Sequence, residues 1–223
     1  SGVSFGTNNG TIYGTPTELW TQTSYMVWAN NSGGSTVAYL NITVVDEVPT
    51  LSYSPENLTL TKGQASSDLP LNATLTGPGT ITSWEINATL PSGLNFGTSN
   101  GTIWGIPTVL QTTATTYTIW ANNSGGSTSA TVNITIIDVA PGTFEYNPEN
   151  NTFTNNTAAS IAPTVTNSAG VITSWAINAT LPSGLSIGAT NGTIYGTPAE
   201  LWTQKSYMVW ANNSGGSSVG YLN

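Results

Sequence analysis

A segment of the sequence that is repeated along the chain constrains the fold more than any single residue does. Residues 1–41 recur almost unchanged at 183–223, and a looser copy lies between them at 92–133. The copies begin about 91 residues apart. A repeat of this length is too long for one unit of a helical solenoid and suits one small β-sandwich domain. The chain begins and ends at the same phase of the repeat, so we expect it to be a window of a longer tandem array.

Each copy alternates apolar and polar residues between frequent turn residues, a pattern typical of strands rather than helices. The clearest predicted strand covers residues 25–29, and the glycine-containing loop 30–35 follows it. The next strand, at 39–44, again has apolar residues at every second position. Upstream, the Asn-Gly pair at 9–10 predicts a hairpin.

These segments give about seven short strands for each repeat, the number that a sandwich of two sheets requires. They divide the chain into the C-terminal part of one repeat at 1–48, a complete repeat at 49–140, and a repeat lacking its last strand at 141–223. The linkers at 46–49 and 138–141 are short and contain proline, so we expect them to limit bending between repeats.

The repeated motif also carries a family resemblance. It reads Trp-x-Ile…Leu-Pro-Ser-Gly-Leu…Asn-Gly-Thr-Ile-x-Gly-x-Pro…Tyr-x-Val/Ile-x-Ala-x-Asn-Ser-Gly-Gly-Ser, and it covers essentially the whole chain. This motif resembles the immunoglobulin-like (Ig-like) repeats of bacterial and archaeal surface proteins, which are related in style to the cadherin-like domains of dystroglycan. The resemblance implies an all-β chain of tandem Ig-like β-sandwich domains joined by short Pro-containing linkers.

The resemblance also implies an extracellular or cell-surface location and no catalytic residues, because members of the family share no active site. Cadherin-type calcium sites need clustered acidic residues between domains. The two joints offer Asp46 with Glu47 and then Asp138 alone. We therefore expect no bound calcium and no cofactor other than N-linked glycans.

Composition limits the partners. Charged residues make up 5% of the chain, against roughly 25% in an ordinary soluble domain. Lys62 and Lys205 are the only cations against ten acidic residues, so nothing could neutralise the phosphates of a nucleic acid or an anionic membrane. The absence of Cys and His excludes disulfides and His-bound metals. No apolar run has the length of a membrane span, and the start at Ser suggests a mature or excised segment with any signal upstream.

Without His or Cys, an active site would need a pair of carboxylates, as in glycosidases. Glu56 and Glu149 recur, but each follows proline in a predicted turn. The other recurring acids do not persist in every copy, since Val109 stands where two copies have glutamate and Ala176 stands in place of Glu85. We predict that the protein has no catalytic, cofactor-binding or metal site and is not an enzyme.

The acceptor pattern for N-linked glycosylation, Asn-x-Ser/Thr, is the strongest modification signal. Asn41 and Asn133 are predicted on the outward side of their strand, and Asn87 and Asn178 oppose the inward tryptophan of theirs. Every acceptor that the pattern allows us to place is predicted to be exposed. Sugars at these sites would indicate an archaeal or eukaryotic source; an Asn- and Thr-rich but unmodified surface is the alternative. The fourteen acceptors are Asn9, Asn30, Asn41, Asn57, Asn72, Asn87, Asn100, Asn122, Asn133, Asn150, Asn155, Asn178, Asn191 and Asn212.

The aromatic residues fall into an inward and an outward set. Trp84 and Trp175 are predicted to lie in the cores between the sheets. The outward set recurs in all three copies, where it could pair across strands, pack beneath a loop, stack on nearby sugars or contact a neighbouring chain or domain. We take the outward residues as candidate inter-unit contacts: Tyr13, Trp28, Trp104, Trp120, Tyr195 and Trp210.

These features favour a structural component of an extracellular microbial surface filament, stalk or sheath, built from glycosylated Ig-like repeats and of archaeal origin. Its partners would be copies of itself or neighbouring repeats, and strand exchange between subunits could join them. The alternative is an adhesin or carbohydrate-binding repeat region of a larger secreted or cell-surface protein, with surface glycans as partners. The loops recur unchanged between copies, which favours a scaffold over a binding module. A spacer within a secreted hydrolase is a third possibility.

Overall fold

The computed structural model describes residues 2–223. Ser1, the first residue of the repeated segment, is not among the described residues. The described residues form strands and turns and no helix, which confirms the predicted all-β class. None of them therefore belongs to a helix that could cross a membrane. The strands fall into three consecutive groups, which we call units 1, 2 and 3.

Unit 1 consists of two antiparallel hairpins. The first hairpin aligns Phe5 with Ile12, and its loop contains the predicted Asn-Gly pair within a longer turn closed by Gly6 N–H donating to Thr11 O at 2.8 Å. The second is a long ribbon that aligns Tyr25 with Leu40. The strands are β1 (Val3–Phe5), β2 (Ile12–Gly14), β3 (Trp20–Asn31) and β4 (Gly34–Val44).

Unit 2 is a complete sandwich. Strands β6, β12, β11 and β8 form one sheet in that order, with β6 parallel to β12 and the other pairs antiparallel. The pairs β5–β7 and β9–β10 supply the remaining strands. The strands are β5 (Thr50–Ser52), β6 (Asn57–Thr61), β7 (Thr74–Thr76), β8 (Ser83–Ile86), β9 (Leu94–Phe96), β10 (Ile103–Gly105), β11 (Gln111–Asn123) and β12 (Gly126–Ile137).

Unit 3 repeats this plan. Its sheet β16–β19–β20 corresponds to β8–β11–β12, and the three-stranded sheet β14–β18–β17 and the pair β13–β15 complete the unit. The strands are β13 (Phe144–Tyr146), β14 (Ala159–Ile161), β15 (Pro163–Val165), β16 (Ser174–Ile177), β17 (Leu185–Ile187), β18 (Ile194–Gly196), β19 (Tyr207–Asn213) and β20 (Gly216–Leu222).

The same tryptophan and tyrosine organise the core of each of these two units. Trp84 is buried in unit 2, as predicted, and it packs against Gly101 of the Asn-Gly turn. Gly101 has a φ of +70°, and a Cβ there would lie 2.4 Å from the indole ring, so only glycine fits. The hydroxyl of Tyr53 donates to Gly101 O at 2.6 Å. The turn is thus fixed to the core by both a ring contact and a hydrogen bond.

Trp175, Gly192 and Tyr146 repeat the arrangement in unit 3, where the tyrosine hydroxyl donates to Gly192 O at 2.5 Å. Because burial disfavours the charged phenolate, it raises the pKa of Tyr146 to about 12 and raises that of Tyr53 further still.

Units 1 and 3 each carry an open apolar groove where unit 2 is closed. In unit 1, residues of both hairpins line a groove of about 510 Å³ that reaches the free edge of β3 at Met26 and Trp28, and Phe5 and Tyr25 remain exposed in it. In unit 3, residues 151–154 form no strand, although their counterparts in unit 2 form β6. A groove of about 430 Å³ lies there, between this segment and the exposed Leu201 and Trp202. In unit 2 the last residues of β12 pair with β6 at this place.

Candidate functional site

The loop that joins β11 to β12 holds the linker that enters unit 2. Ser124 Oγ accepts a hydrogen bond from Asp46 N–H at 2.9 Å, and Asn123 Nδ2 donates to Glu47 O at 2.7 Å. Asn123 Oδ1 shapes the loop by accepting from Gly125 N–H at 2.9 Å. The linker backbone passes so close that a Cβ on Gly125 would lie 1.9 Å from Asp46 O. We call residues 123–125 and their counterparts the linker-binding loops.

The linker-binding loop of unit 3 makes the same contacts with the next linker. Asp138 N–H donates to Ser214 Oγ at 2.9 Å, and Asn213 Nδ2 donates to Val139 O at 2.7 Å. A Cβ on Gly215 would lie 2.0 Å from Asp138 O. Two joints with different linker side chains thus use one backbone-binding arrangement, because the loop recognises the amide and carbonyl groups of the linker.

This arrangement leaves little free chain at a joint. Strand β12 ends at Ile137, and the next residue, Asp138, is already bound by the loop of unit 3. At the first joint, Val45 alone separates the end of β4 from Asp46. Few rotatable bonds therefore remain between the strand of one unit and the loop of the following unit.

The sequence did not predict this role for the loops. The only signal is the Asn-Ser-Gly-Gly string in all three copies, from which the sequence predicts a scaffold but no contact partner. Unit 1 contains the same loop, in which Asn31 Oδ1 accepts from Gly33 N–H at 2.8 Å. A Cβ on Gly33 would meet only the Asn31 side chain, at 3.2 Å. The hydrogen bond that shapes the loop therefore recurs in unit 1.

Ten of the fourteen glycosylation acceptors are exposed. Several of them use their side-chain oxygen locally: Asn87 Oδ1 accepts from Thr118 N–H at 3.0 Å and Asn178 Oδ1 from Met208 N–H at 3.0 Å. The exposed acceptors are Asn9, Asn30, Asn41, Asn57, Asn72, Asn87, Asn100, Asn150, Asn178 and Asn191.

The other four acceptors, Asn122, Asn133, Asn155 and Asn212, are half-buried. The expectation that every placed acceptor is exposed is therefore wrong for Asn133, which was placed on the outward side of its strand. Asn122 and Asn212 lie beside a third strand of their sheet. Asn133 Nδ2 donates to the side chain of Asn57 on the neighbouring strand at 2.9 Å. The side-chain oxygen of Asn155 is buried. Unit 1 has no strand beside β4 among the described residues, and there Asn41 is exposed.

The six candidate contact residues lie on the outer faces of their sheets. Trp28 and Tyr13 are each 59% exposed, and Trp104 and Tyr195 are also exposed. Trp120 and Trp210 are half-buried, because a third strand lies beside them and places Glu85 and Ala176 opposite their rings. Their side chains still lie opposite the core, since Ile119, Ala121, Val209 and Ala211, their neighbours along the strand, are fully buried.

The carboxylates serve local hydrogen bonds. Glu200 Oε1 accepts from Ser183 N–H at 2.8 Å, and Glu149 Oε1 accepts from Asn223 Nδ2 at 3.1 Å. Glu85 Oε1 accepts from Asn122 Nδ2 at 3.1 Å. Within residues 2–223, no three acidic side chains come together as a group that could hold a metal ion.

Comparison with known proteins identifies the family of the two fuller units. The family described as "Putative Ig domain" (He_PIG) matches residues 48–137 and again residues 141–221. The chain belongs to this family. The Ig-like resemblance carried by the repeated motif is thereby confirmed, together with the tandem arrangement of Ig-like sandwich units.

The Ig-like chain is also similar to a staphylococcal surface protein. It is 27% identical over 201 residues to the "Serine-rich adhesin for platelets" of Staphylococcus aureus strain MRSA252, which covers 90% of this chain and 14% of that protein. The match to the protein of the same name from strain USA300 is equally identical and covers 8% of that protein. The Ig-like chain thus spans only a small part of the relatives it matches.

Solved structures of tandem domains resemble it more distantly. The titin fragment I67–I69, in an E-to-A variant, is 12% identical with a TM-score of 0.43, covering 91% of this chain and 73% of that one. Drosophila N-cadherin EC1-3 is 17% identical with a TM-score of 0.39, covering 99% of this chain and 83% of that one. The Ig-like chain is a repeat region of an extracellular or cell-surface protein, as the motif predicted, and its family and adhesin relatives point to a non-enzymatic role.

Proposed function

We propose that the Ig-like chain is part of a structural protein that forms an extracellular filament, stalk or sheath on a microbial, archaeal cell, and that its units are N-glycosylated. The linker-binding loops carry this proposal. An array that only displayed binding sites could use flexible linkers, whereas here each linker is hydrogen-bonded to the unit that follows it. A chain of such joints suits a protein whose task is to hold a shape over a distance.

The outer surface supports the proposal in a second way. With few charged side chains, the units need another source of solubility, and exposed acceptors on strands and turns could provide it through sugars. The distribution of acceptors over all three units would give a filament the same coat along its length.

Electron microscopy of the native material tests the proposal. We expect continuous fibres whose axial repeat equals the length of one or two units. Isolated, flexible strings in the same preparation would contradict a structural role.

Mass spectrometry of native glycopeptides tests the proposed glycosylation. We expect sugars at the exposed Asn41 and Asn87 and an unmodified peptide at Asn155, which is half-buried. Asn133 lies in the same unit as Asn87 but is half-buried beside Asn57, so its occupancy should be lower than that of Asn87. Unmodified peptides at both Asn41 and Asn133 would remove the glycoprotein proposal.

A second candidate function is an adhesin or carbohydrate-binding repeat region of a larger surface protein. The similarity to the staphylococcal adhesin favours it. Binding of the Ig-like chain to defined structures on a glycan array would support this function. Absence of glycan binding together with regular native fibres would favour the filament.

A further inference from the structure

An apolar patch lies on the outer face of the long hairpin of unit 1. Met26 stands opposite Tyr39, and Trp28 stands opposite Val37, so the four side chains share one face of the β3–β4 ribbon. All four are exposed, and Tyr39 is exposed by 72%. Neighbouring positions on this face are polar: Asn30 pairs with Ser35 at one end, and Ser24 pairs with Asn41 at the other.

Unit 3 carries the same patch, two repeats further along the chain. Met208 stands opposite Tyr221, and Trp210 stands opposite Val219. Val219 and Tyr221 are exposed, and Met208 and Trp210 are half-buried. We call these two sets of four residues the outer apolar patches.

Unit 2 has the same hairpin but not the patch. Thr118 stands opposite Thr131, and Trp120 stands opposite Ser129. The flanking strand places the carboxylate of Glu85 beside Trp120, where unit 3 has an alanine beside Trp210. The fold therefore accepts polar residues at these positions, and core packing does not account for the apolar ones in units 1 and 3.

We propose that the outer apolar patches are the surface through which a second copy of this chain associates side by side with the first. The patches lie on alternate units, so a partner that covers both at once must present apolar surface at the same spacing. A second copy of the chain does so by construction. This inference rests on the filament part of the proposed function and not on its glycosylation, because sugars at Asn30 and Asn41 would stand at the two ends of the unit 1 patch on the same face.

Charge opposes contact between two copies in general and leaves these faces as the favourable ones. Two chains of net charge −8 repel one another, so contact is favourable only where no carboxylate is brought close. The outer apolar patches contain no acidic side chain, whereas the equivalent face of unit 2 contains Glu85. Trp, Tyr and Met are also the residues that are enriched in the centres of protein interfaces.

The size of a patch predicts how association depends on the number of units. Four side chains expose on the order of a few hundred Å², whereas a stable interface buries about 800 Å² on each partner. One patch is therefore too small to hold two chains together. When one pair of patches is in contact, the second pair meets at a high effective concentration, so two pairs in register bind more tightly than one. Association should strengthen steeply with each further unit that carries a patch.

Sedimentation equilibrium of residues 1–223, from micromolar to millimolar protein, tests the inference. We expect reversible self-association of the unmodified chain. Replacing the patch of unit 3 by the residues of unit 2, with Met208→Thr, Val219→Ser and Tyr221→Thr, should raise the apparent dissociation constant about 100-fold. Because unit 2 folds with these residues, a loss of association is not expected to reflect a loss of folding, and the thermal unfolding of the variant checks this.

The reverse exchange adds a third patch. Thr118→Met, Ser129→Val and Thr131→Tyr with Glu85→Ala should tighten association beyond that of the original chain. Val171→Thr is the matched control, because it removes an exposed apolar side chain of unit 3 that lies outside both patches, and it should leave association unchanged. A chain that stays monomeric at every concentration, or that loses as much association through Val171→Thr, overturns the inference; neither result bears on whether native fibres exist.

Discussion

The substitution Gly125→Ala tests the linker-binding loops most directly. A methyl group on Gly125 would lie 1.9 Å from Asp46 O and 2.8 Å from the carbonyl carbon of the same residue. Both contacts are with backbone, which cannot rotate away as a side chain can. The linker must therefore move off the loop.

The cost follows from the contacts that are lost. Displacing the linker breaks the hydrogen bond from Asp46 N–H to Ser124 Oγ and the one from Asn123 Nδ2 to Glu47 O. At about 0.5–1.5 kcal/mol for each bond, the free energy of unfolding of unit 2 should fall by about 1–3 kcal/mol. For a domain of this size, each kcal/mol lowers Tm by about 4–8 °C. Ser124→Ala removes only one of the two bonds and should lose about half as much.

Urea and thermal unfolding measure this loss, and small-angle X-ray scattering of the folded chain measures whether the joint between units 1 and 2 becomes more flexible. Gly33→Ala is the matched control. It makes the same change in the same loop of unit 1, where the new methyl group meets only the Asn31 side chain, at 3.2 Å. It should change stability by no more than about 0.5 kcal/mol and leave the scattering unaltered. If Gly125→Ala were as stable and as stiff as Gly33→Ala, the loops would not hold the linkers.

Two further predictions concern the cores. Gly101→Ala should destabilise unit 2 by about 2–5 kcal/mol, because it combines a positive φ with a methyl group 2.4 Å from the Trp84 ring. Gly63→Ala, at a similar φ of +72° but with open space around it, should cost about 1–2 kcal/mol. Equal losses of stability in urea titrations would contradict the role of the ring. Because burial raises the pKa of Tyr146 to about 12, the contribution of this side chain to the stability of unit 3 should be fully present below pH 10 and lost between about pH 10 and pH 12. Tyr146→Phe should flatten this dependence in alkaline unfolding followed by circular dichroism.

Local patterns were sufficient to predict the long hairpins and the core tryptophans, but not every short strand, since units 2 and 3 have eight strands where about seven were predicted. Alternation over a few residues identified the hairpins, and Trp84 and Trp175 were assigned to the cores because tryptophans of β-sandwiches commonly pack between the sheets. Trp84 and Trp175 are indeed buried. These features depend on neighbours within one strand, which the sequence shows directly.

Features that depend on distant strands were predicted less well. The alternation along β12 places Asn133 on the outward side. It is half-buried because Asn57 lies beside it, on a parallel strand that is far away in sequence. Ser124 and Asp46, which share a hydrogen bond, are likewise 78 residues apart in the sequence. The polar atoms in these contacts are common surface groups, and nothing in the local sequence distinguishes them from solvated ones.

The parallel pairing of β6 with β12 has a mechanical consequence. The chain enters unit 2 at the end where its loop binds the linker and leaves through the last residue of β12, so a pull on the ends of the array draws these two strands in opposite directions along their length. Asn57–Thr61 and Asn133–Ile137 would then slide past one another, and every hydrogen bond between them would be strained at once. Rupture in this shear geometry requires all of the bonds to fail together, whereas a hairpin pulled open from its end fails one bond at a time. The strand order that closes the sandwich therefore also sets the force that an array of such units can resist.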